Sequence, residues 1–244
     1  EVVAKYSLVR FYTNHENVRD RNFSIALEYA TGSYIRLFND TLSFKKGALK
    51  TMLKRIEEHL GDGSNLFFYG NMFLNSNCKR EVSSKETYLK TVSFYSTWIA
   101  NFGVWSEDFE SIQDKDRYAE LQFVQVDWSY RIVENNKKTI IYFEDMIDVV
   151  VPNKKGGYDI FDTFINKYLD ILNKEKLDFM AFEMEKYRLF HFFIYPNLLT
   201  LLIYERNKYN FDINNPIKIL LKKYWYELYF YPMIVLFWLR KIKN

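Results

Sequence analysis

The sequence predicts an α/β fold, with a layered sheet in the first part of the chain and an all-α annex after it. Three observations predict it. Between residues 7 and 71, β-forming segments alternate with segments of helical period, in the order strand, helix, strand, helix, strand. That order implies a layered sheet with right-handed crossovers. Gly (8) and Pro (4) are scarce among 244 residues, too few for an all-β protein built on tight turns. Beyond Gly157 the apolar residues take up a helical period.

Ser7 to Thr13 (Ser-Leu-Val-Arg-Phe-Tyr-Thr) is rich in β-formers and reads as a strand. Arg19 to Ala30 reads as a helix, because Phe23, Ala26, Leu27 and Ala30 share one face and Gly32 follows as a stop. Ser33 to Phe38 is a second strand, running into the polar break Asn39-Asp40-Thr41. Lys46 to Leu60 is an amphipathic helix with Leu49, Met52, Leu53, Ile56 and Leu60 as its stripe. Asn65 to Asn71 is a third strand. Asn75 to Lys85 is polar and reads as a loop, and Thr87 to Ile99 as a helix. An acidic stretch from Ser106 to Asp116 precedes a helix from Arg117 to Val133, with Leu121, Val124 and Trp128 on one side. Thr139 to Phe143 is a strand, Met146 to Val151 a candidate for another, and Pro152 to Gly157 the most loop-like stretch. In the annex, Ile160, Phe161, Phe164, Ile165, Tyr168, Leu169 and Leu172 mark a helix. Three more helical segments follow, at 175–194, 197–208 and 216–240. The expected organisation is a domain over 1–157 and an aromatic-rich helical annex over 158–244.

Composition narrows the function. Cys78 is the one cysteine, so no intramolecular disulfide forms, and with no His or CxxC partner nearby it reads as inert. His15, His59 and His191 are scattered, which disfavours a His-rich metal site. Aromatics make up 19% of the chain. From Pro216 onward six cations face one anion, Glu227, giving that segment +5 within a chain of net charge +3. The body is near neutral, which disfavours a nucleic-acid partner. The most apolar run, Tyr224 to Leu239, is shorter than the roughly 20 residues a spanning helix needs. Its aromatics and flanking Lys222, Lys223, Arg240 and Lys241 suit the headgroup layer of an anionic membrane. A buried annex helix with a charged end fits the same residues.

The most informative stretch is Arg21-Asn22, then Ala26, Ala30, Gly32-Ser33-Tyr34-Ile35, two apolar residues and Asn39-Asp40. It resembles the middle of a family 2 glycosyltransferase of the GT-A type. There a helix with Asn near its start leads to a Gly-x-Tyr-Ile strand, an Asp-rich turn and an amphipathic helix. Downstream, Asp127-Trp128-Ser129-Tyr130-Arg131 is similar to the family's acidic residue followed by an aromatic and an arginine. The resemblance covers about residues 7 to 175. It implies a GT-A-like, Rossmann-like layered sheet. The family's opening βαβ unit, with its Pro-x-Tyr-Asn strand, has no counterpart here, so an N-terminally truncated version of that sheet is expected.

The function implied is transfer of a sugar from a nucleotide-sugar donor to a lipid-linked or polysaccharide acceptor. The reaction is inverting, in bacterial capsule or O-antigen synthesis, at the cytoplasmic face of the plasma membrane. The alternative is a catalytically silent module of the same fold, acting in assembly or membrane docking. Asp40 is the candidate metal ligand: a carboxylate ending a sheet strand sits where open α/β sheets bind ligands, and Mg²⁺ or Mn²⁺ would bridge it to the diphosphate. The family's motif usually carries two or three carboxylates, and here Asn39 and Thr41 flank a single one. Asn39-Asp40 fits equally an Asx turn capping the next helix. The resemblance implies donor contacts from Arg21, Asn22, Asn39, Asp40 and Lys154. The run Lys154-Lys155-Gly156-Gly157 fits a loop closing on a diphosphate, or a solvated connector. The resemblance makes Asp127 the general base, with Asp114, Asp116 and Glu120 in reserve. Acceptor contacts fall to Trp128, a sugar platform, and Arg131. An ordinary helical i, i+4 ion pair explains Asp127 and Arg131 as well.

Overall fold

In the computed structural model, which describes residues 5–70, 77–149, 157–204 and 210–243, the chain is a mixed α/β protein rich in helix. Helix α1 (Arg21–Glu28) leads to β1 (Tyr34–Arg36), β2 (Leu42–Phe44), α2 (Ala48–Glu58) and β3 (Asn65–Gly70). Then come β4 (Cys78–Val82), α3 (Lys85–Val92), β5 (Gly103–Trp105), α4 (Ser106–Ser111), α5 (Val124–Val133), β6 (Thr139–Glu144) and β7 (Ile147–Val149). The annex comprises α6 (Leu169–Lys174), α7 (Phe179–Leu189), α8 (Tyr195–Leu202), α9 (Pro216–Tyr224) and α10 (Phe230–Lys243). Wide π-helical turns lead into α6 over Asp162–Tyr168 and into α8 over Phe190–Ile194.

The centre is the parallel pair β3–β6, with Asn65 opposite Thr139 and Gly70 opposite Glu144. Both strands are almost uninterrupted apolar runs, the pattern of strands covered on two faces. Leu66, Phe68, Ile140 and Tyr142 face α2, where Ala48 and Met52 meet them beside Trp105. Phe67, Tyr69, Ile141 and Phe143 face the other way, toward α3, α5 and the annex. The annex continues that second layer. Phe164 packs on Phe123 at 5.2 Å and Phe193 on Phe94 at 5.5 Å, while Tyr168 and Ser93 both donate to buried Glu185 (2.9 and 2.7 Å).

A second pair, β1–β5, is antiparallel and lies against β3. The Trp105 indole donates to Ser64 O (2.8 Å) at the start of β3, and Gly70 N donates to Asn101 Oδ1 (3.1 Å) at its end. Strand β5 therefore runs against β3, and β1 runs with it, as the bond from Tyr34 Oη to Leu66 O (3.1 Å) requires. So β1, β3 and β6 all point the same way and end on one edge.

Five sequence expectations are corrected. Ser7–Thr13 is irregular and exposed rather than a strand, with Leu8 95% exposed; β-formers make a strand only beside a partner, and none of the described strands pairs with them. The polar stretch read as a loop contains β4, which joins β6 antiparallel as a charged edge strand. Leu49, Leu53 and Leu60 of the stripe drawn on α2 face solvent, and Met52 and Ala48 carry the packing. The helix drawn from Arg117 starts at Val124, after Gln122 adopts φ +67°. The helix drawn over 216–240 is two helices broken at 225–229, with Pro232 accommodated in the first turn of α10, where its missing N–H costs nothing.

Candidate functional site

Leu37 N extends the β1–β5 pairing with a bond to Phe102 O (3.1 Å), and the chain then reverses. Leu42 N donates to Asn39 O (3.3 Å), so Asn39–Leu42 is a β-turn with Asp40 and Thr41 as its central residues. Phe38 and Phe44 stack across the turn with centroids 4.5 Å apart. Asp40 is exposed at the apex, while Asn39 is half-buried and its side-chain oxygen is sealed from water without a hydrogen-bond partner. The turn leads into β2, and α2 starts later, at Gly47. The segment turns on a backbone bond and not as an Asx turn on Asn39, whose side-chain oxygen accepts nothing, and it does not cap the helix.

Strand β2 pairs with β7, Leu42 opposite Val149 and Phe44 opposite Ile147. This two-stranded ribbon stands on the edge where β1 and β6 end. Two carboxylates missed in the sequence stand at the foot of this ribbon, at the end away from Asp40. Glu144 closes β6, buried, with one oxygen 3.3 Å from Arg55 Nε and the other unpartnered. Asp145 follows it and is held by Lys45 at 2.7 Å. Both carry the cue that singled out Asp40, a carboxylate at the end of a parallel strand. Lys154 lies outside the described residues.

Arg21 and Asn22 lie exposed in the first turn of α1, where Asn22 Oδ1 accepts from Asn14 Nδ2 (2.7 Å). The next turn ties α1 to the acidic loop: Ser24 Oγ donates to Asp116 Oδ1 (2.7 Å). That loop is stapled to α5. Trp128 Nε1 donates to Lys115 O (2.8 Å), and Arg131 donates to the carbonyls of Gln113 and, at 3.3 Å, Asp114.

Asp127 is the hub of this arrangement and has no exposed surface. Arg117 grips one of its oxygens through Nε (2.8 Å) and Nη2, and Arg131 reaches the other at 3.4 Å. Arg117 also bonds Glu175 Oε1 at 3.1 Å, so two carboxylates share one guanidinium. Burial and the charge of Asp127 push the Glu175 carboxyl well above its ordinary 4.5, with Arg117 working against them. Trp128 is a core residue, packed between Phe102 (5.3 Å) and Phe109 (5.1 Å), with no face turned to water.

The structure thus joins Asp127 to Arg131 and Asn39 to Asp40, the first pair in the helical layer and the second at the sheet edge. Arg117 and Glu175 are the partners the sequence hid. They stand ten residues before and 48 residues after Asp127, with no local pattern connecting them. Among the described residues no three His, Cys, Asp or Glu side chains converge as a metal cage. On the edge turn Asp40 offers one exposed carboxylate, which would supply a single oxygen donor to a divalent ion. No protein-family model matches the chain, and no curated protein matches it.

Proposed function

We propose that the edge where β1, β3 and β6 end binds a nucleotide-sugar diphosphate, and that the protein transfers the sugar to a hydroxyl of a lipid-linked or polysaccharide acceptor. One observation carries this: the Asp40 turn stands on the shared carboxyl edge of three co-directional strands, where open α/β sheets collect ligands. The GT-A-like reading adds that a Gly-x-Tyr-Ile strand should deliver that turn, and Gly32 to Ile35 does so through β1. Asp40 would hold Mg²⁺ or Mn²⁺, which when bound neutralises the departing diphosphate. Asn39 and the exposed Arg21 and Asn22 serve the donor in this reading.

Asp127 takes the acceptor proton as the hydroxyl oxygen attacks the anomeric carbon. It must first exchange Arg117 for that hydroxyl. Arg117 is the group able to move, since its side chain is 32% exposed and sits on the loop before α5. Asp127→Asn is expected to lower turnover of nucleotide sugars by about 10²–10⁴, the usual contribution of a positioned base, without unfolding the chain. The fold survives because Asn fills the same space and Arg117 keeps Glu175 as a partner at 3.1 Å. Unchanged turnover in Asp127→Asn would remove this residue from the chemistry. The silent-module reading is favoured by the sealing of both Asp127 oxygens under two arginines. It requires that the wild-type chain turn over no donor at all.

A further inference from the structure

The annex presents an apolar surface that the chain itself leaves uncovered. In α10, Phe230, Met233, Ile234 and Phe237 point inward and pack. The adjoining flank is not polar: Tyr231, Val235, Trp238 and Ile242, spaced at i, i+4, i+7 and i+11, are all exposed, Ile242 by 80%, and so are Leu236 and Leu239 on the far side. A helix apolar on every side belongs inside something. Helix α7 carries a matching exposed stripe, Met180, Met184 and Tyr187. Tyr187, at the end of that stripe, packs edge-on against Tyr229, the residue just before α10, at 5.0 Å. Leu228, 87% exposed, projects from the same break between α9 and α10.

We propose that this surface docks on an anionic lipid bilayer, lying in the headgroup layer. Charge selects the occupant. The segment from Pro216 carries six cations and one anion, and that anion is spent inside the protein: Glu227 pairs with buried Lys186. What remains toward the outside includes the exposed cations Lys218 and Lys222 on α9 and Lys241 on the last turn of α10. On the α7 side Asp178 is exposed and Glu183 leans on Lys186, while along α9 and α10 cations flank Trp, Tyr and aliphatic side chains, the chemistry of an interfacial helix on anionic lipid. Among the described residues no helix is long and apolar enough to cross a membrane, so the contact is lateral. This inference stands apart from the sugar-transfer reading and uses none of its residues.

Flotation of the whole chain with phosphatidylcholine vesicles, with and without phosphatidylglycerol, tests it. The expected result is co-flotation with the anionic vesicles, weakened by high salt and slight on phosphatidylcholine alone. Lys218→Glu with Lys222→Glu should weaken binding at least roughly thirtyfold, since each cation near an anionic surface contributes about fivefold. Val235→Asp with Trp238→Glu should abolish it at an unchanged melting temperature, because both side chains are exposed. Absence from vesicles of either composition overturns the proposal, as does binding that ignores both double substitutions. So does a dimer in light scattering that Val235→Asp with Trp238→Glu dissociates, since the face would then be covered by a second copy.

Discussion

Replacing Arg117 with Met should destabilise the protein by about 3 to 5 kcal/mol, the range for stripping a buried charge of its partner. Asp127 is completely buried, and Arg117 holds it from 2.8 Å while also holding Glu175 from 3.1 Å. Arg131 stays on Asp127 at 3.4 Å, which places the loss toward the lower end. The loss depends on pH, and its sign follows from the raised pKa of Glu175. The native chain keeps a proton there that the unfolded chain gives up above its ordinary 4.5, so this contribution to stability declines as pH rises. Glu185, pushed up to about 7 by burial against the bonds from Ser93 and Tyr168, adds to the same decline. With Arg117 gone the Glu175 carboxyl rises higher still, so the native variant keeps its proton where wild type gives it up, and the deficit of the variant grows as pH rises from about 7 to about 9. Urea unfolding across that range measures it. A deficit that stays level would mean that the pair is not coupled through Arg117.

The second large effect lies in the annex. Glu227→Ala should cost about 3 kcal/mol, because it leaves the Lys186 ammonium buried. Lys186 is 1% exposed, with Nζ 2.5 Å from Tyr226 Oη and 3.9 Å above the same ring. Burial opposes its charge, yet Glu227 and Tyr226 hold its pKa above the usual lysine value. Glu183 at 3.7 Å remains as a weaker partner, which limits the loss. The reverse change, Lys186→Met, should cost less, since Glu227 still reaches water. Unfolding free energies of the two variants, with hydrogen exchange in α10, give the comparison. Equal costs, or a Glu227→Ala variant within about 0.5 kcal/mol of wild type, would show that this pair does not pin the last two helices.

Local signals carried the sheet. The Tyr34–Arg36 strand, the Asn39-Asp40 turn, α2 and β3 are each written within a dozen residues, by period and by a stop, and each forms where the sequence places it. Signals that depend on a distant partner misled. Ser7–Thr13 has strand composition and, among the described residues, no strand to pair with, while Cys78–Val82 has loop composition and pairs with β6 because an edge strand tolerates charge. The C-terminal break at 225–229 is a tertiary decision. Glu227 turns inward to a lysine 41 residues away, and continuing the helix would compete with that pair. The same holds at Asp127. Its i, i+4 partner Arg131 is legible, whereas Arg117 and Glu175, which complete its surroundings, come from a loop and from the annex.

The central claim is that the Asp40 turn faces a diphosphate on the sheet edge. Titration calorimetry of the chain with inorganic pyrophosphate and Mn²⁺ asks only for the part common to every nucleotide-sugar donor. Saturable binding that needs the metal, is removed by a chelator and weakens about tenfold or more in Asp40→Asn is the predicted result. Binding of equal strength in Asp40→Asn, or none with metal present, would contradict it.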